Sequence, residues 1–322
     1  MKSGIPINTR EPVTEENFNE NAYLLANPDV AHAVKEGFIG SGLEHFHSYG
    51  YKENRKQMVK AEDNKAFYQA KRDKQERIQS LFKEGFPYER QDGLSVCLSG
   101  DLRKTWNIID TNAISQNGYD QNVMNLIEKY ADGLVLDAGA GNRLEYFPNV
   151  INYEIVPYES TDVLGVGEEL PFKDGSIDAV ISSAVLEHVK DPFRCAREII
   201  RVLKPGGELY CCVPFLQPYH GYPHHYYNMT HQGLRNLFEG PLVVDRIEVL
   251  ESTAPIWTLT WFLESWSKSL PETVKEQFLN MRVADLLSPV EPHLDKPYVT
   301  ELPEAARFEL ASACVLFAHR PA

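Results

Sequence analysis

Three groups of residues have the side chains or turns that chemistry needs. The first is Asp137-Ala138-Gly139-Ala140-Gly141-Asn142, a carboxylate followed by two glycines. Gly139 and Gly141 permit backbone angles and a close ligand approach that a Cβ would block. Asp137 closes a short apolar run, Leu134-Val135-Leu136, of the kind found in parallel strands covered on both faces. Open α/β sheets bind ligands at that end of a strand. Such a turn also occurs as plain structure, so the chain after it must decide. The second group is Glu154, 17 residues beyond Asp137 and at the end of Val150-Ile151-Asn152-Tyr153. An acid at the end of a second strand suits two ribose hydroxyls, because a carboxylate accepts both protons. The third is the loop from Pro214 to Thr230, which holds His220, His224 and His225 among four tyrosines. Such rings stack on sugars or aromatic rings and bond to hydroxyls.

An imidazole also removes a proton near neutral pH, which makes these three histidines the candidate catalytic groups. His220 comes first, since it follows the preceding strand most closely. A metal site is the competing reading, because His220 and His224 lie four apart. Pro223 breaks the helix that would make this spacing useful, and no acid stands beside the pair in sequence. The expectation is therefore no metal. A purely structural histidine cluster remains the other reading.

The elements that must position these groups alternate between strand and helix. Strands are expected at 134–136, 150–155, 162–166, 177–183 and 209–213. Asp191 and Pro192 open a helix to about 203, with Asp191 as N-cap and Pro192 at the first helical position. Lys204-Pro205-Gly206-Gly207 ends it. This βαβ spacing predicts a parallel sheet in an α/β fold. Two later runs, 243–249 and 311–318, are read as a sixth and a seventh strand. Between them, at about 252–308, lies an insertion with Trp257, Trp261, Phe262 and Trp266 at near-helical spacing. Such a stripe packs a core or a lid, or forms a homodimer surface.

Here the ordered motifs resemble those of the class I S-adenosylmethionine-dependent methyltransferases, of the type 11-like kind. The matching pieces are Val135 to Gly141, Glu154, Leu170-Pro171-Phe172, Ser176 to Val180, Val185-Leu186-Glu187-His188-Val189 and Arg201 to Gly207. The resemblance covers about 133–240 and implies a Rossmann-like seven-stranded methyltransferase sheet with S-adenosyl-L-methionine as cofactor. It places Asp137 and the backbone of Ala138, Gly139, Ala140 and Gly141 at the methionine part, and Glu154 at the ribose. It places Gly167 and Glu168 beside the adenine, and Ser183 and Ala184 beside the methyl-bearing end. Glu187 and His188 are structural first and catalytic second. Val166 stands where the family often has an acid, which leaves adenine recognition to the backbone or to Glu168.

Upstream, Asn21 to Val34 suggests two short helices and Ser41 to Gly50 a third, with Glu53-Asn54-Arg55 after them. They resemble a small module that accompanies bacterial surface-saccharide proteins, although Asn54 replaces its usual glycine. That company, with the His-Tyr loop, points to a small-molecule or saccharide acceptor and to O-methylation of a sugar in polysaccharide biosynthesis. The module also offers a surface for a protein partner. His32, His45 and His47 are expected to pack, not to bind metal. Residues 61–84 read as an amphipathic helix whose basic residues 71–77 face solvent. Residue 1–60 module, 61–120 lead-in and 121–322 methyltransferase domain make up the expected organisation.

Composition bounds the partners. Of the 322 residues, 32 are Lys or Arg and 46 are Asp or Glu, a net charge of −14. This tilts away from nucleic acid and from anionic membrane surfaces. No apolar run is long enough to span a bilayer, and the N-terminus has no signal-peptide core. The five cysteines form no C-x-x-C pair, as in reduced cytosolic proteins, so a cytoplasmic location is expected. A second reading is a non-catalytic S-adenosylmethionine-binding scaffold. A third, a nicotinamide-dependent sugar enzyme, is disfavoured by the missing third glycine.

Overall fold

The structure is a computed structural model that describes residues 4–7, 9–59, 64–91, 93–111, 115–116, 118–221, 223–287 and 289–312. Two compact units result. One comprises 1–183 and 197–211, the other 184–196 and 212–322.

The first unit begins with β1 (Ile5–Pro6) and β2 (Thr9–Pro12), then α1 (Glu20–Ala26), α2 (Pro28–Lys35) and α3 (Gly42–His45). A π-helical turn, Phe46–Gly50, continues α3, and β3 (Lys56–Val59) pairs with β2. Asn27 ends α1, and Pro28 opens α2. Val13, Tyr23, Val30 and Phe46 form the small core. The Tyr23 hydroxyl meets His45 Nδ1 at 3.0 Å. Both Glu20 carboxylate oxygens accept from the N–H groups of Gly42 and Leu43. Arg55 reaches both Asp29 oxygens. A Cβ at Gly50 would collide with the buried Tyr23 hydroxyl, which explains that glycine. The module's motif residues are thus engaged in holding the module together.

The helix α4 (Lys65–Ser80) starts at Asn64, whose side chain accepts from Phe67 N. Its buried face carries Phe67, Lys71, Lys74, Gln75 and Ile78. The expectation that residues 71–77 form a solvated basic face is therefore corrected for Lys71 and Lys74. Lys74 donates to Asp162 Oδ2 at 2.8 Å and to the Val150 carbonyl, and lies 3.6 Å from the Tyr146 ring centre. Lys71 donates to the Glu159 carbonyl. A buried ammonium requires such partners, because desolvation without them is costly.

The main sheet contains β4 (Glu89–Gln91), β5 (Leu94–Val96), β6 (Val135–Ala138), β8 (Val150–Glu154), β9 (Val163–Leu164), β10 (Ile177–Ser183) and β11 (Leu203–Cys212). The short β7 (Glu145–Tyr146) pairs with β1. The order across the sheet is β11-β10-β6-β8-β9-β5-β4. Pairs from β10 through β5 are parallel, and β4 joins antiparallel. The result is a Rossmann-like α/β sheet of seven strands. The helix α5 (Gly100–Thr105) follows β5. After it, α6 (Gln121–Lys129) packs Val123, Leu126 and Ile127 against Val135, Val150 and Ile181. The strand expected at 209–213 begins earlier, directly after α7 (Pro192–Val202).

The seven strands are not the seven expected. Residues 243–249 form no strand, and Val243 and Val249 are exposed. Residues 313–318 of the other expected strand lie outside the described residues. The sheet instead reaches seven through β4 and through β5, the latter overlapping the short strand that Ser95-Val96-Cys97-Leu98 suggest in sequence. The second unit contains α8 (His231–Phe238), α9 (Pro255–Lys268) and α10 (Glu272–Leu279). The tryptophan stripe is helical, as its spacing predicts. Trp266 stacks on Phe278 over a core of Leu270, Val274 and Leu302. Among the described residues, no helix is long and apolar enough to cross a membrane.

Candidate functional site

In the first unit the glycine turn and Glu154 come together. Gly139 and Gly141 have φ of 101° and 65°, the left-handed region that favours glycine. A Cβ at Gly141 would also lie 2.7 Å from the Ser115 carbonyl oxygen. The N–H groups of Gly139 and Ala140 both donate to the Tyr153 carbonyl. Gly141 N donates to Glu154 Oε2 at 3.0 Å, and Ile155 N to Glu154 Oε1 at 3.0 Å. The acid at the end of β8 therefore fixes the turn after β6. Burial raises the Glu154 carboxyl above its ordinary value, against the opposing pull of the Gly141 and Ile155 N–H bonds.

Asp137 is fully buried at the end of β6. Its Oδ2 accepts from the Tyr119 hydroxyl at 2.5 Å and from Arg143 Nη2 at 2.7 Å and Nε at 3.1 Å. The Arg143 guanidinium also sits 4.0 Å from the Tyr119 ring centre. Burial, and next the Asp137 charge, push the Tyr119 hydroxyl well above its ordinary value, so it stays a donor. Asp137 Oδ1, in contrast, is buried with no hydrogen-bond partner among the described residues. An acceptor left so is expensive, on the order of 1–3 kcal/mol or more for a charged group. It is suited to a cationic donor supplied by a ligand. Arg143 was not among the residues read as functional. Its signal in sequence is a cation six residues after Asp137, directly after the turn.

The other expected cofactor contacts are placed by the sheet. Ala138 and Ala140 are buried. Leu164 pairs with Glu154, and Gly165 N donates to the Glu154 carbonyl. Gly167 and Glu168 follow two and three residues later, Gly167 half-buried and Glu168 buried. Ser183 ends β10, two residues past the Ile181 that pairs with Asp137. Ala184 opens the second unit with φ 55°, unusual for a residue with a side chain.

The second unit gathers part of the histidine loop and adds two residues to it. The His220 and His225 ring centres are 4.2 Å apart, and His188 lies edge-on to His220 at 5.1 Å. The His224 ring instead meets Tyr226, and its carbonyl accepts from His188 Nδ1 at 2.6 Å. His225 Nδ1 accepts from His220 N, so its Nε2 donates to Asn228 Oδ1 at 2.8 Å. His220 Nδ1 donates to the Pro218 carbonyl at 2.8 Å. His188 and His220 thus carry their proton on Nδ1 and keep a lone pair on Nε2. Burial lowers both below the usual imidazole value, so the neutral form prevails.

Glu187, distant from the loop in sequence, stands close to His188 and His220 in space. It is fully buried, and neither carboxylate oxygen has a hydrogen-bond partner among the described residues. Its Oε1 is 3.8 Å from His188 Nε2. Burial pushes its carboxyl up to about 7.

The family described as a methyltransferase domain matches residues 138–211. An uncharacterized methyltransferase of Mycobacterium sp. (strain JLS) is 56% identical over 41 residues, 13% of this chain and 16% of that protein. Another, of Mycobacterium leprae (strain TN), is 43% identical over 53 residues, 16% of this chain and 20% of that protein. The chain therefore spans about a sixth to a fifth of the length of these curated relatives. Among solved structures, an S-adenosylmethionine-dependent methyltransferase of Thermotoga maritima is 25% identical, with a TM-score of 0.29 over 34% of this chain and 63% of that one. The 1,6-didemethyltoxoflavin-N1-methyltransferase of Burkholderia thailandensis is 14% identical, with a TM-score of 0.26 over 73% of this chain and 84% of that one. The matched domain spans the end of β6 through most of β11, and it supports S-adenosylmethionine as the cofactor.

Proposed function

We propose that this chain is a class I methyltransferase that methylates a hydroxyl of a saccharide, in the assembly of a surface polysaccharide. The observation that carries the cofactor side is the buried, partnerless Asp137 Oδ1 beside the glycine turn. It fits the ammonium of S-adenosylmethionine, while Tyr119 and Arg143 hold the other carboxylate oxygen in place. Glu154 spends one N–H bond on each oxygen, so lone pairs remain for two ribose hydroxyls. Gly167 and Glu168 are assigned to the adenine, and Ser183 and Ala184 to the reacting end.

When bound, S-adenosylmethionine supplies a methyl carbon activated by its sulfonium. The protein's work is then alignment of the acceptor oxygen and removal of its proton. His220 is assigned the proton, since its Nδ1–H is fixed on Pro218 and its Nε2 lone pair is available. His225 is bonded at both nitrogens and orients His220. His224 supports His188 through its carbonyl. The saccharide acceptor rests on the His-Tyr loop and on the likeness of the N-terminal module to those of surface-saccharide proteins. That module is also assigned a protein partner, and a cytoplasmic location follows from the same setting. The test is incubation with S-adenosylmethionine and saccharide intermediates, read by mass spectrometry. Gain of one methylene by a sugar supports the reading. Cofactor binding with no turnover on any acceptor favours a scaffold.

A further inference from the structure

Glu187, His188 and His220 form a cluster whose ligand atoms all lie within 4.8 Å of one another. Each of the three is prepared in a way that core packing does not require. Glu187 is fully buried, yet neither of its oxygens has a hydrogen-bond partner among the described residues. Its backbone is fixed, because Tyr226 N and Tyr227 N both donate to its carbonyl. His188 and His220 each donate Nδ1–H to a backbone carbonyl, of His224 and of Pro218. That is the outer contact by which a metal-bound imidazole is oriented, and it leaves Nε2 as the ligand atom. Trp261 and His225 pack against the His220 ring at 5.2 Å and 4.2 Å and limit its rotation.

We infer that Glu187, His188 and His220 bind a divalent first-row transition ion through one carboxylate oxygen and two Nε2 atoms. Two imidazoles and a carboxylate suit zinc, cobalt, manganese or iron and disfavour magnesium and calcium, which prefer oxygen ligands. Bond lengths near ~2.1 Å place ligand atoms about 3–3.5 Å apart. The Glu187–His188 separation is 3.8 Å and the His220 ligand atom lies within 4.8 Å of both, so binding draws the three ligands together. Three protein ligands leave positions open for water or an oxygen-bearing acceptor.

The inference rests on this cluster and leaves the cofactor assignments as they are, but it would replace the proton role given to His220. The two readings do compete for one atom. A cation on His220 Nε2 removes that nitrogen from proton transfer, and a hydroxyl bound to the cation would be acidified instead.

The test uses the full chain without an affinity tag, stripped by chelator and dialysed. Cobalt(II) is titrated with visible absorption as the readout, and zinc(II) by calorimetry. One equivalent of each binds, and Glu187→Gln, His188→Gln and His220→Gln each weaken binding by more than about tenfold. His32→Gln, at an exposed histidine of the first unit, leaves it unchanged. If Glu187→Gln fails to fold by circular dichroism, the two histidine variants still decide. Absence of stoichiometric binding at millimolar cation overturns the inference and leaves Glu187 a buried acid with no metal role. Binding that survives all the folded variants at parent strength overturns it too.

Discussion

Replacing Glu154 separates two tasks that one carboxylate performs. In the structure it anchors the glycine turn through Gly141 N and caps its own strand end through Ile155 N, both at 3.0 Å. In the proposed function it also accepts from two ribose hydroxyls. Glu154→Ala leaves both N–H groups without that acceptor, which costs about 1–3 kcal/mol of stability. Glu154→Gln keeps one carbonyl acceptor but turns an amide N–H toward one of the donors, so it costs roughly 1 kcal/mol. The ribose contribution is larger. Loss of hydrogen bonds to a charged acceptor, at about 1.5–3 kcal/mol each and with partial compensation by the amide, gives ~2–4 kcal/mol for Glu154→Gln. That corresponds to affinity for S-adenosylmethionine weakened by about 30- to 700-fold. Calorimetry measures the affinity, and urea unfolding measures the stability. If Glu154→Gln loses stability yet binds S-adenosylmethionine within about threefold of the parent, the carboxylate serves the turn alone and its assignment to the ribose is wrong.

Three further outcomes follow from the same geometry. Gly141→Ala combines φ of 65° with a 2.7 Å approach to the Ser115 oxygen, so it destabilises by about 2 kcal/mol or more; an unfolding midpoint equal to the parent's contradicts this. Burial lowers Lys74 from its usual 10.5 to about 8, so between those pH values the unfolded chain holds more protons and stability rises with pH. From pH ~7 to ~9.5 the parent gains about 1–2 kcal/mol relative to Lys74→Met in urea unfolding, and a relative loss contradicts the sign. Burial pushes the Cys97 thiol up to about 12, and Cys195 is also buried, so both resist alkylation in the native state near pH ~8. Mass mapping after brief iodoacetamide treatment checks this, and rapid labelling of Cys97 refutes it.

The parts legible in the sequence were those fixed by local rules. Asn27-Pro28, Asp191-Pro192 and Thr230 mark helix starts through capping and proline geometry, and all three hold. Buried parallel strands such as 177–183 announce themselves by unbroken apolar runs. The seventh-strand count was right with partly wrong members, because pairing is a long-range property. The run 243–249 alternates like a strand yet exposes Val243 and Val249, while the polar Glu89–Gln91 pairs at the sheet edge. Lys74 looked like solvated charge, since nothing local reveals that Asp162 lies 88 residues onward. The same holds for the site. Spacing predicted that the Asp137–Gly141 turn and Glu154 lie at neighbouring strand ends, and the Gly141–Glu154 bond joins them. The grip of Arg143 and Tyr119 on Asp137, and the meeting of Glu187 with His220 33 residues later, depend on how loops fold back.

The central claim is that the turn at Asp137 to Asn142 serves S-adenosylmethionine. Its most direct test is calorimetric titration of the full chain with S-adenosylmethionine and, separately, with NAD. The account predicts one equivalent of S-adenosylmethionine, weakened in Asp137→Ala, and no heat from NAD. Binding of NAD without binding of S-adenosylmethionine contradicts it.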